Sequence, residues 1–62
     1  METVLVIGAA RSGIAVSKLL SKHGYHVILT DQNKVDAELE SVEIVDGGHP
    51  DWLKEKEYAF IV

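Results

Sequence analysis

The sequence contains no cysteine, and its 62 residues include only one proline, one tryptophan and one phenylalanine. Without cysteine the chain has neither disulfide bonds nor thiolate metal ligands, and nothing in it points to an oxidising compartment. No apolar run approaches the roughly 18 residues of a membrane span, and Met1 is not followed by the segments of a signal peptide. We therefore expect a cytoplasmic protein with no membrane partner.

Basic residues are also few, and their distribution is uneven. The formal net charge is −4. Residues 1–30 carry three basic side chains and one acidic one, whereas residues 31–62 carry three basic and nine acidic ones. A nucleic-acid-binding domain would instead show a basic stripe. The charge pattern therefore argues against nucleic acid as a partner and favours a small anionic ligand near the N-terminal half.

The most informative motif is a glycine-bounded turn after the apolar run Thr3–Ile7. Its spacing, Gly8 to Gly13, is G-x-A-x-x-G, which is the dinucleotide-binding fingerprint with Ala10 in place of the middle glycine. Gly8 permits a tight turn, and Gly13 lets a helix pack closely on the sheet. Position 10 must be small for a pyrophosphate to approach the backbone, and the methyl group of Ala10 makes a very close approach less favourable. Because a helix start presents unpartnered N–H groups and a partial positive charge, the motif predicts a phosphate site.

A β-α-β unit surrounds this turn. The apolar runs 3–7 and 26–30 predict buried parallel strands, and residues 12–23 have helical spacing. One face of that helix is expected to carry Ala15, Val16, Leu19, Leu20 and His23, and the opposite face Ser17, Lys18, Ser21 and Lys22. Gly24 stands where a left-handed helix cap belongs.

The second half of the chain is less regular. We predict a loop at 32–34, one or two turns of acidic helix at 35–40, a strand at 42–45 and a turn at 47–50. Pro50 suits the start of a short helix through about Lys56, and Tyr58–Val62 reads as a fourth strand. The expected fold class is α/β, a Rossmann-like parallel sheet with a β-α-β start. Because these helices are too few to cover both faces of a sheet, we expect a truncated domain.

These features together resemble the Mur ligases of bacterial peptidoglycan synthesis. The resemblance covers nearly the whole chain and rests on Val4–Gly8 with Ala10–Gly13, Lys18–Leu20 running into Gly24, Val27–Asp31, Gly47–Pro50, and Tyr58–Val62. It implies that residues 1–62 are part of an N-terminal domain that holds the UDP moiety of a small-molecule substrate. The ATP-binding and C-terminal domains of such a ligase would then lie outside this chain.

The family reaction forms an amide bond: ATP, with Mg, phosphorylates a substrate carboxylate, and an amino acid then displaces the phosphate. The chain has no G-x-x-x-x-G-K-[ST] motif, so we expect no cofactor in residues 1–62. The resemblance assigns substrate binding to the turn and to the end of the second strand. These residues are Gly8, Ala10, Arg11, Ser12 and Gly13 for the pyrophosphate, through the N–H groups of Arg11 and Ser12, and Asp31, Gln32 and Asn33 for the uracil.

Other interpretations of the same residues stay open. Ser12 could simply cap the helix, the Arg11 side chain could be solvated, and Asp31 could cap the next segment. The three histidines share no metal-ligand spacing, so we expect no metal site, and no catalytic residue is indicated. At the level of the whole chain, the alternatives are the NAD-binding domain of a dehydrogenase and a non-catalytic nucleotide-sensing domain of the kind attached to potassium channels.

Overall fold

The computed structural model describes all residues 1–62 and contains a three-stranded parallel sheet with a helix on each face. Its elements are, in chain order, β1 (Thr3–Ile7), α1 (Arg11–Lys22), β2 (His26–Thr30), β3 (Val42–Val45) and α2 (Trp52–Glu55). The strands lie in the order β1-β2-β3, and both pairs are parallel. The predicted α/β fold with a β-α-β start is confirmed. None of its helices combines the length and apolarity needed to cross a membrane.

The two central apolar runs form the core because successive side chains of a strand point to opposite faces. Val4, Val6, Val27 and Leu29 face α1, whereas Leu5, Ile28 and Leu53 form a second cluster on the other face. Full burial of each such side chain contributes about 1.5–3 kcal/mol. Burial on both faces explains why β1 and β2 are continuously apolar rather than alternating.

Helix α1 begins one residue earlier than predicted, and its buried face is rotated from the expected one. Val16 and Leu20 pack on the core as predicted, but Leu19 is 54% exposed and Ser17 is fully buried. The assignment of Ser17 to the polar face is therefore wrong. Its hydroxyl donates a hydrogen bond to the Gly13 carbonyl at 2.8 Å, so a small polar residue is satisfied inside the interface.

The C-terminal end of α1 confirms the predicted glycine cap. Gly24 has a φ of 93°, a conformation that glycine adopts without strain. Its N–H donates to the carbonyl of Ser21 at 3.1 Å, and the N–H of Tyr25 donates to the carbonyl of Leu20 at 3.2 Å. This pair of bonds is a Schellman motif, and it turns the chain directly into β2.

The predicted acidic helix at 35–40 is wrong, because this segment contains no helix. The N–H of Val35 donates to a carboxylate oxygen of Asp46 at 2.7 Å, which holds the segment near the end of β3. A helix would also place Asp36 and Glu40 four residues apart, where like charges repel. Leu39 packs against the core instead.

Strand β3 is confirmed at 42–45, and the helix after Pro50 is shorter than predicted. The N–H groups of Leu53 and Lys54 donate to the carbonyls of Pro50 and Asp51, at 3.1 and 3.0 Å, so the first turn precedes the regular helix. Leu53 is the residue of α2 that enters the core. A cleft of about 400 Å³ remains between α2 and the sheet.

The predicted fourth strand lies beside β1, but it is not a regular strand over its whole length. Residues 58–62 run beside β1, but only Leu5 and Ile61 form a regular parallel bridge. Around that bridge the N–H of Val62 donates to Leu5 at 2.9 Å, and the N–H of Ile7 donates to Val62 at 3.1 Å. The segment pairs with β1 alone.

Gly13 is the position where the fold tolerates a side chain least. A methyl group there would overlap the carbonyl oxygen of Gly8. Alanine raises helix propensity by about 1 kcal/mol, but overlap with a backbone atom costs about 2–3 kcal/mol, the upper part of the range for overpacking, so the net loss of stability is about 1–2 kcal/mol. We expect Gly13→Ala to lower the melting temperature, followed by circular dichroism, by roughly 4–16 °C in a domain of this size.

The matched control for this substitution is Ser12→Ala at the next position. Ser12 is exposed and its hydroxyl makes no hydrogen bond, so a change within about 3 °C is expected. A Gly13→Ala chain as stable as the unaltered one would contradict the close contact between α1 and β1.

Candidate functional site

The turn between β1 and α1 places the start of the helix over the carboxyl end of β1. Gly8 has a φ of 100°, and its N–H donates to the carbonyl of Thr30 at 2.8 Å, which extends the pairing of β1 with β2 by one residue. The absence of a side chain at Gly13 then lets the first turn of α1 lie against the Gly8 carbonyl. The direction of α1 is fixed by these two contacts.

The first N–H groups of α1 are free. Ala10 is the N-cap, with φ −69° and ψ 176°, and no side chain caps the helix. The first backbone bond at this end runs from Ile14 to Ala10 at 3.0 Å, and the N–H groups of residues 10–13 donate to no group of the chain. Four donors and the positive end of the helix dipole are therefore available to an anion. The interpretation of Ser12 as a cap is wrong.

These donors lie where the order of the sheet reverses. β2 and β3 lie on one side of β1, whereas the segment 58–62 lies on the other. In open α/β sheets, ligands bind in the crevice at such a switch point, outside the carboxyl ends of the strands. A cleft of about 270 Å³ is found there, and its lining includes Ile7, Gly8, Ala10, Ser12, Gly13 and Val62.

Asp31, at the end of β2, holds the turn in place. One carboxylate oxygen accepts the N–H of Ala9 at 2.7 Å, and the other accepts the N–H of Asn33 at 2.8 Å. The bond from Ala9, and then that from Asn33, holds the pKa of the Asp31 carboxyl below its ordinary value of 3.8. The carboxylate is ionised at neutral pH and joins the glycine turn to the loop after β2.

A second cleft, of about 550 Å³, adjoins the first at Ala10. Its lining comes from the turn, from α1 and from the chain after β2, and it includes Ala9, Ile14, Asp31, Asn33, Lys34 and Val35. The two clefts share Ala10 and are together named here the groove; the free N–H groups lie beside the first cleft, and Asp31 lines the second. The groove can take a ligand with an anionic group beside a larger polar or aromatic group.

Two of the residues assigned to the site, Arg11 and Gln32, line neither cleft. Gln32 is exposed and lines neither cleft. Arg11 is exposed and its side chain has neither a hydrogen bond nor an ion pair, so it contributes a backbone N–H and a solvated charge. The other six, Gly8, Ala10, Ser12, Gly13, Asp31 and Asn33, line the groove.

Sequence reasoning missed Asp46 at the end of β3. Its carboxylate accepts the N–H of Val35 and so reaches the chain that lines the second cleft. A signal was present, because Asp31 and Asp46 directly follow neighbouring parallel strands, whose carboxyl ends meet at one edge of the sheet. The hydrogen-bond partner of Asp46, Val35, lies 11 residues away in the chain, and nothing in the sequence around Val35 indicates the contact.

Two of the histidines have local partners, His49 at this edge of the sheet and His26 at the opposite, amino end of β2. Nδ1 of His49 lies 2.9 Å from Oγ1 of Thr30, which is buried, and the pair joins the turn after β3 to the end of β2. His26 lies 3.3 Å from a carboxylate oxygen of Glu43 on the exposed surface.

Curated proteins similar to this chain share one name. A protein of Pelotomaculum thermopropionicum named UDP-N-acetylmuramoylalanine–D-glutamate ligase is 50% identical over 62 aligned residues, which cover 87% of this chain and 14% of the relative. Proteins of the same name from Bacillus thuringiensis and Bacillus anthracis are 38% identical over 68 aligned residues, covering 98% of this chain and 15% of theirs. The chain thus spans about one-seventh of the length of these relatives.

The chain matches no protein-family model and no solved structure at a significant level. The similarity to the curated ligases extends over nearly all of its residues, including the glycine turn and the end of β2. On this similarity the chain belongs to the Mur ligase family, as a relative of the UDP-N-acetylmuramoylalanine–D-glutamate ligases.

Proposed function

We propose that residues 1–62 bind the UDP moiety of the substrate in an ATP-dependent ligase that adds D-glutamate to UDP-N-acetylmuramoylalanine. The name of the relatives supplies the substrate and the reaction class. The observation that carries the proposal is the set of four unpartnered N–H groups at residues 10–13, which lie at the switch point of the sheet.

In this proposal the diphosphate lies at the start of α1, where backbone donors and the helix dipole favour an anion. The uridine occupies the second cleft, beside Asp31 and Asn33. Such binding far from the reacting carboxylate contributes to the reaction by orienting the substrate. The groups that hold ATP and Mg²⁺ would belong to other domains, since residues 1–62 contain no phosphate-loop lysine.

A proline at position 11 tests the backbone donors directly. Arg11 is the first residue of α1, where proline is tolerated, and Ala10 already has the extended conformation that a residue before proline requires. Arg11→Pro removes one N–H, and the loss of a hydrogen bond to a charged phosphate costs about 1.5–3 kcal/mol. We expect the dissociation constant for UDP, measured by calorimetric titration, to rise roughly 10- to 100-fold.

Arg11→Ala is the matched control, because it removes the side chain and its charge but keeps the N–H. We expect it to weaken UDP binding less than Arg11→Pro. Equal losses in the two variants would show that the guanidinium group, not the backbone, binds the phosphate. Tight binding of NAD with no response to UDP or UDP-N-acetylmuramoylalanine would overturn the proposal in favour of a dehydrogenase domain.

The hydrogen bonds of Asp31 predict a pH dependence of stability. Because the pKa of this carboxyl is lower in the folded chain, its stabilisation is present above the unfolded value of about 4 and is lost as pH falls through the folded value. We expect Asp31→Asn to melt at a lower temperature near neutral pH. Below about pH 4 its melting temperature should fall less steeply than that of the unaltered chain.

Asp51→Asn is the control for this pH series, because the Asp51 side chain caps no helix. Its melting temperature should follow that of the unaltered chain at every pH. Parallel pH curves for Asp31→Asn and the unaltered chain would contradict the anchoring of the glycine turn by the Asp31 carboxylate.

A further inference from the structure

Residues 31–35, named here the β2 strap, belong to no helix or strand, and all of them except Gln32 line the second cleft. At its first residue, the N–H of Asp31 donates to the carbonyl of Val45 at 3.1 Å, and the N–H of Gly48 donates to the carbonyl of Asp31 at 3.3 Å. In its middle, the N–H of Gly47 donates to the carbonyl of Asn33 at 3.4 Å. The shape of the cleft thus depends on contacts between the strap and residues 45–48.

Asp46 holds the far end of the β2 strap. Its carboxylate accepts the N–H of Val35 at 2.7 Å, the shortest of the bonds between the strap and residues 45–48. Hydrogen bonds to an ionised acceptor are shorter and stronger than those between neutral groups. Asp46 does not line the second cleft, whereas Val35 and Lys34 do. Its influence on a ligand there would therefore pass through the strap.

We propose that Asp46 is a positioning residue for the nucleoside end of the groove, acting through the N–H of Val35. This inference rests on the proposed binding of UDP. Without the carboxylate, no hydrogen bond holds the strap after Asn33, and the strap then spends only part of its time in the conformation that binds. Apparent affinity falls in proportion to the fraction of chains in the competent conformation.

The test compares Asp46→Ala, Asp46→Asn and Asp51→Ala in the 62-residue chain. Asp46→Ala removes the acceptor, whereas Asp46→Asn keeps a side-chain oxygen that accepts the same N–H. Asp51→Ala removes one exposed negative charge with no side-chain cap to lose. Three quantities are measured: hydrogen exchange of the Val35 amide without ligand, the dissociation constant for UDP by titration, and the melting temperature.

We expect Asp46→Ala to speed hydrogen exchange of the Val35 amide at least tenfold. UDP binding should weaken by about 5- to 10-fold, because the strap would then be in the binding conformation only about one-fifth to one-tenth of the time. Asp46→Asn should stay within about threefold of the unaltered chain in affinity, and Asp51→Ala within about twofold. The melting temperature should change little in every variant, because Asp46 lies on the surface.

Faster Val35 exchange in Asp46→Ala with unchanged UDP affinity would overturn the inference and leave the proposed function intact. Equal weakening by Asp51→Ala would also overturn it, since loss of charge alone would then suffice. Absence of UDP binding by the unaltered chain would overturn the proposed function and the inference with it. Unchanged Val35 exchange in Asp46→Ala would refute the strap contact whatever the ligand does.

Discussion

The contact between Gly13 and the carbonyl group of Gly8 determines where α1 begins and how close it lies to the sheet. A side chain at Gly13 would push the helix start away from β1, and the N–H groups of residues 10–13 would leave the crevice beside Val62. Ser17, one turn later, continues the close approach because its hydroxyl bonds to Gly13 within the helix. The packing of α1 and the position of the free N–H groups thus depend on the same contact between Gly13 and Gly8.

Asp31 places a negative charge beside a site that we propose for an anion, and its hydrogen bonds explain why this is tolerable. The carboxylate accepts two backbone N–H groups, from Ala9 and Asn33, which offset its charge locally. The bond from Ala9 removes one donor from the turn, but it leaves the following four donors in place and fixes their direction. A preorganised site binds more tightly because less order is lost when the ligand arrives.

The sequence predicts the β1-α1-β2 unit well because its signals are local: two apolar runs, helical spacing and a glycine at each end of α1. Prediction from the sequence fails where a residue distant in the chain determines the local structure. Residues 35–40 form no helix and Val35 bonds instead to Asp46, and Ser17 is buried one helical turn after Gly13, which contacts the Gly8 carbonyl. The free donors of the site follow from the helix start alone, whereas the anchoring role of Asp31 and the strap contact of Asp46 depend on neighbouring strands that only the fold brings together.

Ala10 shows how the departure from the dinucleotide fingerprint is accommodated. Its φ of −69° and ψ of 176° lie in the extended region that any residue adopts, so the backbone here does not require glycine. Alanine in such a conformation restricts the unfolded chain and thereby favours folding. The remaining effect of its methyl group is steric: Ala10 lines both clefts, and the methyl group would keep the diphosphate that we propose slightly farther from the turn. The methyl group of Ala10 therefore favours a ligand that accepts hydrogen bonds from the free N–H groups over one that contacts the backbone of the glycine turn.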